Sequence, residues 1–162
     1  YVIYMQAGTG ALTQAGNPKG IGGIPDLCGH RAAVGLGTVE EAAMRDQSEK
    51  CISAGKGPIE IKTYPDVAAG VRLVKNDRTD VMLTDLGLCD KLVADNPDVF
   101  SRAFKILSGF KIGAAVKNGN DDLLKAIEDG ITIAQENGTQ KSLFGKYGMD
   151  ADLQLPVEIL RD

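Results

Sequence analysis

The stretches Thr79-Asp80-Val81-Met82-Leu83-Thr84-Asp85 and Gly35-Leu36-Gly37-Thr38-Val39-Glu40-Glu41 contain the same kind of junction. Each lies where an apolar, β-prone run ends in a polar turn, and a helical pattern begins after the turn. A strand that passes through a turn into a helix is the repeating unit of an open α/β sheet. Ligands of such sheets bind outside the carboxyl ends of the strands. The two junctions therefore predict both a fold class and the place of a binding site.

The two junctions offer opposite charges to a ligand. The helix that follows Thr38 begins with N–H groups that lack partners within the helix, and such groups suit an anion. Asp85 offers a carboxylate, which suits a cation. A site that faces both groups suits a zwitterion, and the simplest biological zwitterion is an amino acid.

The surrounding pattern continues this alternation of strands and helices. Strands are predicted at Arg31 to Gly35, Ile59 to Tyr64 and Asp80 to Thr84, and a helix follows each of them. This order predicts an α/β fold with a parallel sheet and helices on both faces. Outside this region, the pattern predicts an extended segment over Tyr1 to Thr13, interrupted near Gly8 and Gly10, and strands at Phe104 to Leu107 and Lys111 to Val116. It also predicts that Asn120 caps a helix that runs to about Glu136, with Leu123, Leu124, Ile127 and Ile131 on its core face.

Composition excludes several classes of function. The 162 residues are 43% hydrophobic and 25% charged, which are globular values, and the formal net charge is −4. A mildly acidic chain without a basic stripe is a poor candidate for nucleic-acid binding. No apolar run approaches the length that spans a bilayer. The Gly35-Leu36-Gly37 run lacks the last glycine of a dinucleotide-binding motif, so no cofactor is expected.

The three cysteines leave two interpretations open. Their spacing, with a single histidine in the chain, fits no metal or CxxC pattern, so no metal site is expected. Cys28, Cys51 and Cys89 are either three buried thiols or one disulfide and one free thiol. Cys28 precedes the Arg31 to Gly35 strand and Cys51 ends the next helix, so both lie at the same end of one βα unit. We therefore expect a Cys28–Cys51 bridge, which requires an oxidising compartment.

An ordered set of short motifs resembles a known family. The set comprises Gly16-Asn17-Pro18-Lys19-Gly20-Ile21, Asp26-Leu27-Cys28-Gly29, Ala32-Ala33-Val34, Gly37-Thr38, Arg78-Thr79-Asp80-Val81, Thr84-Asp85, Asn137-Gly138-Thr139 and Lys146-Tyr147-Gly148. It resembles the extracellular solute-binding proteins of amino-acid ABC transporters, which have the two-lobed periplasmic binding protein fold. The resemblance implies a location outside the cytoplasm, a lipid anchor or a periplasmic form, and delivery of an amino acid to a membrane permease.

The resemblance also implies an organisation of the chain into lobes. Residues 1–13 and 105–116 are expected to cross between lobes, residues 14–104 to form lobe 2, and residues 117–162 to form helices that pack on lobe 1. The N-terminal part of lobe 1 is expected to be lacking. In the family, that part supplies an arginine for the ligand carboxylate and an aromatic wall. The face on which that part of lobe 1 would pack is therefore expected to be uncovered. We expect this chain to self-associate through that face.

Five residues are candidates for ligand binding. Asp85 either binds a ligand ammonium or only caps its helix. Thr38 and Val39 hold the ligand carboxylate in the family, although a capping box with Glu41 explains Thr38 locally. Glu40 replaces an amide that is common in the family, so it either turns to solvent or favours a ligand with an extra positive charge. Asp66 faces the expected cleft edge and caps the next helix.

Two other functions use the same fold. A small dehydratase would need an acid–base pair in the cleft, for which Glu40 and Asp85 are the evident carboxylates. A ligand-sensing domain of a receptor would use the same binding residues and would differ in its flanking segments. The sequence favours a binding protein that is not an enzyme, because no histidine lies near these two carboxylates.

Overall fold

The structure is a computed structural model that describes residues 1–161. Its strands are β1 (Val2–Gln14), β2 (Arg31–Gly35), β3 (Glu60–Tyr64), β4 (Val81–Asp85), β5 (Phe100–Ala114) and β6 (Gln154–Ile159). Its helices are α1 (Val39–Ser53), α2 (Val67–Lys75), α3 (Leu86–Asp95), α4 (Asp121–Glu136) and α5 (Thr139–Lys146), with short 3₁₀ turns at Ile24–Leu27 and Ala151–Leu153. No helix among these residues is both long enough and apolar enough to cross a membrane.

The chain divides into two units. The first unit comprises Tyr1–Gly8 and the chain from Leu107 onward, and the second unit comprises Thr9–Ile106. Strands β1 and β5 each contribute one part to the first unit and one part to the second. Asp162, the last residue of the predicted 117–162 segment, lies outside the described residues.

The second unit is built on a mixed sheet in the order β3-β2-β4-β1-β5. Strand β2 pairs in parallel with β3 and β4, as the alternation of strands and helices predicts. Strand β1 pairs with β4 in the antiparallel sense, from Thr9 opposite Asp85 to Leu12 opposite Met82. The α/β class is confirmed, but the sheet is not wholly parallel because β1 is not part of the βαβ repeat.

Alternate residues of the central strands bury both faces of this sheet. On one face, Ala11, Val34 and Leu83 pack with Met44 of α1, and all four are at most 1% exposed. On the other face, residues such as Leu12 and Met82 pack with α2 and α3, through a cluster that includes Ala33, Tyr64, Val74 and Cys89. Burying one such aliphatic side chain contributes about 1.5–3 kcal/mol. Helices therefore cover both faces, as expected.

The disulfide and the free thiol are where the sequence predicts them. Cys28 and Cys51 are bonded, which joins the segment before β2 to the last turns of α1. Cys89 is a free thiol, and burial raises its pKa to about 12. A Cβ at Gly10 would lie 2.5 Å from Cβ of Cys89, so glycine is required where α3 approaches β1 most closely.

The amino ends of β2 and β4 are joined by an ion pair whose carboxylate is buried and whose guanidinium is partly exposed. The Asp80 carboxylate accepts hydrogen bonds from the backbone N–H of Arg31 at 2.8 Å and from its Nη2 at 2.6 Å. The Asp80 side chain is 5% exposed. Burial alone would raise the pKa of Asp80, but the hydrogen bonds from Arg31 outweigh burial and hold the pKa below its ordinary value.

We expect Asp80→Asn to lower the free energy of unfolding by about 2 kcal/mol at pH 7, because hydrogen bonds to charged groups contribute about 1.5–3 kcal/mol. A carboxylate whose pKa is lower in the folded state stabilises the fold above its unfolded pKa, near 4, and loses this effect as pH falls through the folded value. The difference between wild type and variant should therefore shrink between pH 4 and pH 2 in urea unfolding. Asp46→Asn, at an exposed position of α1, serves as the control. A difference that is constant with pH would contradict the role of this charge.

The first unit differs from the predicted pattern in three places. Strand β5 continues through Ser108 and Phe110 where a break is predicted, because Gly109 takes a φ of +73° and Ser108 Oγ accepts from the Phe110 N–H. The irregularity of β1 lies between Ile3 and Met5, where the pairing with β6 shifts, rather than at Gly8 and Gly10. Strand β6 itself was not predicted.

The core face of α4 is narrower than predicted. Leu124 is 6% exposed, and Ile127 and Ile131 are half-buried, as a core face requires. Leu123 is 46% exposed, so its assignment to the core face is wrong. Leu123 and Leu124 are adjacent, and adjacent residues lie about 100° apart around a helix, so the same element need not cover both. Asn120 caps the helix by accepting from the Leu123 N–H, as predicted.

Candidate ligand-binding site

Three helices of the second unit begin along one edge of its sheet, the edge formed by the carboxyl ends of β2, β3 and β4. Strands β2, β3 and β4 end at Gly35, Tyr64 and Asp85, and α1, α2 and α3 begin within four residues of those ends. The N-cap residues of these helices are Thr38, Asp66 and Asp85. Because β2 lies between β3 and β4, the start of α1 lies between the other two starts. All five predicted binding residues therefore lie along this edge.

The first turn of α1 has two free N–H groups. Thr38 Oγ1 donates to the carbonyl of Gly35 at 3.0 Å and accepts from the N–H of Glu41 at 3.4 Å. The Glu41 carboxylate accepts from the N–H of Gly37 at 2.7 Å, one residue earlier than a capping box predicts. Within residues 1–161, the N–H groups of Val39 and Glu40 have no protein acceptor. An anion is the natural acceptor for such groups.

Asp85 has one free carboxylate oxygen beside this turn. Its Oδ1 accepts from the Leu88 N–H at 3.0 Å, so the side chain does cap α3. Asp85 is exposed, whereas the four preceding residues of β4 are buried. A cap uses one oxygen, which leaves Oδ2 able to accept from a cation. Asp85 is therefore a cap, and its geometry also permits ligand binding.

Glu40 does not simply extend into solvent. It is half-buried, and its Oε1 accepts from the hydroxyl of Thr9 at 2.9 Å. Thr9 is directly opposite Asp85 in the β1–β4 pairing. Burial raises the pKa of the Tyr64 hydroxyl, and the negative charge of Glu40 raises it further.

Asp66 lies at the far end of the same edge. Its Oδ1 accepts from the N–H of Ala69 at 2.8 Å, which is the cap that the sequence predicts. Strand β3 is two strands away from β4, so Asp66 and Asp85 are separated by roughly 10 Å. The geometry supports a capping role for Asp66 and leaves a ligand role as a prediction.

Sequence reasoning missed Thr9 and Tyr64. Thr9 stands between two glycines in the extended segment, and only the pairing register brings it to Asp85 and Glu40. The Tyr64 hydroxyl donates to the carbonyl of Leu83 at 3.0 Å and so ties the end of β3 to β4 across the intervening strand β2. Among the described residues, no group of three or more His, Cys, Asp or Glu is placed to hold a metal ion.

A comparison of sequences identifies relatives of the chain. Over 144 residues, or 89% of its length, the chain is 31% identical to the L-cystine-binding protein TcyJ of Escherichia coli strain K12. The chain is a homologue of this protein. It spans about half of this homologue's length, 51%. No protein-family model matches the chain.

Solved structures show the same fold. The second substrate-binding domain of GlnP from Lactococcus lactis, in an open conformation, superposes with a TM-score of 0.73 at 17% identity, over 92% of this chain and 62% of that one. The L-cystine solute receptor of Neisseria gonorrhoeae, unliganded and open, gives a TM-score of 0.69 at 21% identity, over 93% and 59%. The sequence predicts a resemblance to amino-acid solute-binding proteins. The homology to TcyJ and the shared fold confirm this resemblance.

Proposed function

We propose that the edge formed by the starts of α1 and α3 binds an amino acid, as part of a solute-binding protein of an amino-acid ABC transporter. The observation that carries the proposal is the pairing of free N–H groups at Val39 and Glu40 with the open carboxylate oxygen of Asp85. The N–H groups suit a ligand carboxylate and Asp85 suits a ligand ammonium. Thr38 Oγ1 lies in the same turn, and its hydroxyl would donate to the carboxylate in exchange for its hydrogen bond to the Gly35 carbonyl.

The homology supports this proposal and its setting. Homologues named for binding L-cystine are binding proteins rather than enzymes, and we propose the same for this chain. The Cys28–Cys51 disulfide fits an oxidising compartment, which supports a periplasmic or extracellular location. Delivery to a membrane permease and a lipid anchor are further parts of the proposal.

The enzyme alternative has weaker support. Glu40 and Asp85 both lie around Thr9, but Glu40 accepts from a threonine hydroxyl and Asp85 caps a helix. The one histidine, His30, lies 3.6 Å from Asp80 at the opposite edge of the sheet. A receptor sensing domain would use the same site, and the flanking gene sequence distinguishes it from a transporter component.

We propose that the parts of β1 and β5 within residues 1–13 and 105–116 act as a hinge. The division of the chain between Gly8 and Thr9, and between Ile106 and Leu107, supports this proposal. In this scheme residues 14–104 carry the ligand edge and residues 117–162 belong to the other lobe. Two extended segments of this kind can act as a hinge that lets each unit move as a rigid body.

Saturation-transfer NMR tests the proposed function. The chain is mixed with L-cystine, L-arginine, L-glutamine and other L-amino acids, with glucose as the control solute. We expect one or more amino acids to bind in the millimolar range, because Val39 is 67% exposed and Asp85 is exposed, so water competes at the site. The absence of binding by every amino acid, each tested up to 50 mM or to its solubility limit, would reject the function.

We further propose that the chain self-associates through its first unit, where Phe110, Leu123, Ile133, Leu143 and Tyr147 are each at least 46% exposed. Exposed apolar surface of this kind favours association. Sedimentation velocity should show the weight-average mass rising with protein concentration. Leu123→Glu and Leu143→Glu together should shift the population towards monomer, whereas Leu36→Glu in the second unit should not. A monomer at all concentrations would contradict this prediction.

A further inference from the structure

The half-buried carboxylate of Glu40 places a second negative charge beside the proposed ammonium site. Glu40 Oε1 accepts from Thr9 Oγ1 at 2.9 Å, and Thr9 is directly opposite Asp85. Opposite residues of antiparallel strands have Cβ atoms about 4.5–5.5 Å apart. The carboxylates of Glu40 and Asp85 therefore lie on either side of one threonine, within roughly 10 Å of each other.

The other charged residues at this edge do not neutralise the carboxylates of Glu40 and Asp85. The turns that follow β2, β3 and β4, over residues 36–41, 65–69 and 85–89, contain four carboxylates and no lysine, arginine or histidine. Arg45, one turn into α1, pairs with Glu41 at 2.6 Å. Glu40, Asp66 and Asp85 have no cationic partner among the described residues. An edge with this excess of negative charge favours a ligand of net positive charge.

A purely local role explains Glu40 only in part. A carboxylate in the first turn of a helix interacts favourably with the helix dipole, and it does so while extended into water. Glu40 instead gives up part of its hydration and holds its carboxylate against Thr9. One of its oxygens is used by Thr9, so the other remains able to accept from a donor on a ligand.

We propose that Glu40 accepts a second cationic group, so that the ligand is an amino acid with an ammonium or guanidinium on its side chain. This inference rests on the proposed function, in which Asp85 takes the α-ammonium and the N–H groups of Val39 and Glu40 take the α-carboxylate. Glu40 then selects among amino acids, whereas Asp85 and the α1 turn bind the groups that all of them share.

Arginine and citrulline form a matched pair of probes, because they differ mainly in the replacement of a charged guanidinium by a neutral ureido group. Dissociation constants are measured from amide shifts of the ¹⁵N-labelled chain for wild type, Glu40→Gln and Glu49→Gln. Glu49→Gln is the control, because it makes the same charge change at an exposed position of the same helix. Thermal unfolding confirms that each variant is folded.

We expect wild type to bind arginine roughly tenfold more tightly than citrulline, as one charge-assisted contact implies. Glu40→Gln should remove most of this preference by weakening arginine much more than citrulline, and Glu49→Gln should retain it. Equal binding of the two probes by wild type, or a preference that Glu40→Gln leaves intact, would overturn the inference and leave the proposed function standing. If no amino acid shifts any amide, the proposed function fails and this inference fails with it.

Discussion

Asp85→Asn is expected to weaken amino-acid binding by about 2 kcal/mol, which is roughly thirtyfold in the dissociation constant. The variant removes the charge that meets the ligand ammonium. Asparagine is as good an N-cap as aspartate, so the hydrogen bond from the Leu88 N–H and the start of α3 should be preserved. The loss is therefore assigned to the ligand contact rather than to the fold.

The matched control for this variant is Asp95→Asn. Asp95 is exposed at the end of α3 and pairs with Lys91, so the variant changes the same charge on the same helix away from the site. Affinities are measured by titration with the tightest amino acid of the panel. An Asp85→Asn affinity within twofold of wild type would show that Asp85 is only a helix cap.

Loss of the Cys28–Cys51 disulfide is expected to lower the free energy of unfolding by about 3 kcal/mol, because it closes a loop across a sequence separation of 23. For a chain of this length, this corresponds to a fall in the melting temperature of about 6–12 °C. The double variant Cys28→Ser/Cys51→Ser tests the prediction by differential scanning calorimetry.

Reductant and thiol counting supply the controls for the disulfide. Dithiothreitol should lower the melting temperature of wild type and leave that of the double variant unchanged. A thiol reagent should find one thiol in denatured wild type and none in the native protein, because Cys89 is buried and its pKa is raised to about 12. Three thiols in non-reduced, denatured wild type would contradict the bridge.

The parts of the site that sequence could predict depend on short-range chemistry. Thr38, Asp66 and Asp85 are N-caps because each stands between a strand and a helix with its side chain three residues before a helical N–H. The order of strand and helix in one βα unit likewise places Cys28, before β2, and Cys51, near the end of α1, at the same end of that unit. Such features require only neighbouring residues, so periodicity and capping preferences predict them.

The parts that sequence could not predict depend on long-range pairing. The Thr9–Glu40 hydrogen bond requires the β1–β4 register, which pairs residues 70 or more positions apart in the sequence. Strand β6 contains Pro156 and pairs only with the start of β1, so its local pattern does not indicate a strand. Leu123 has the pattern of a core residue, and only the packing around α4 shows that it is exposed.

We propose that the N–H groups of Val39 and Glu40 and the carboxylate of Asp85 form one amino-acid site. Amide chemical shifts of the ¹⁵N-labelled chain, followed during titration with the tightest amino acid, test it most directly. We predict that the largest shifts occur at Val39, Glu40 and the Leu86–Leu88 turn, with a common dissociation constant. Shifts confined to the first unit, or to the groove lined by Arg72 and Arg78 at the C-terminal end of α2, would show that the amino acid binds elsewhere.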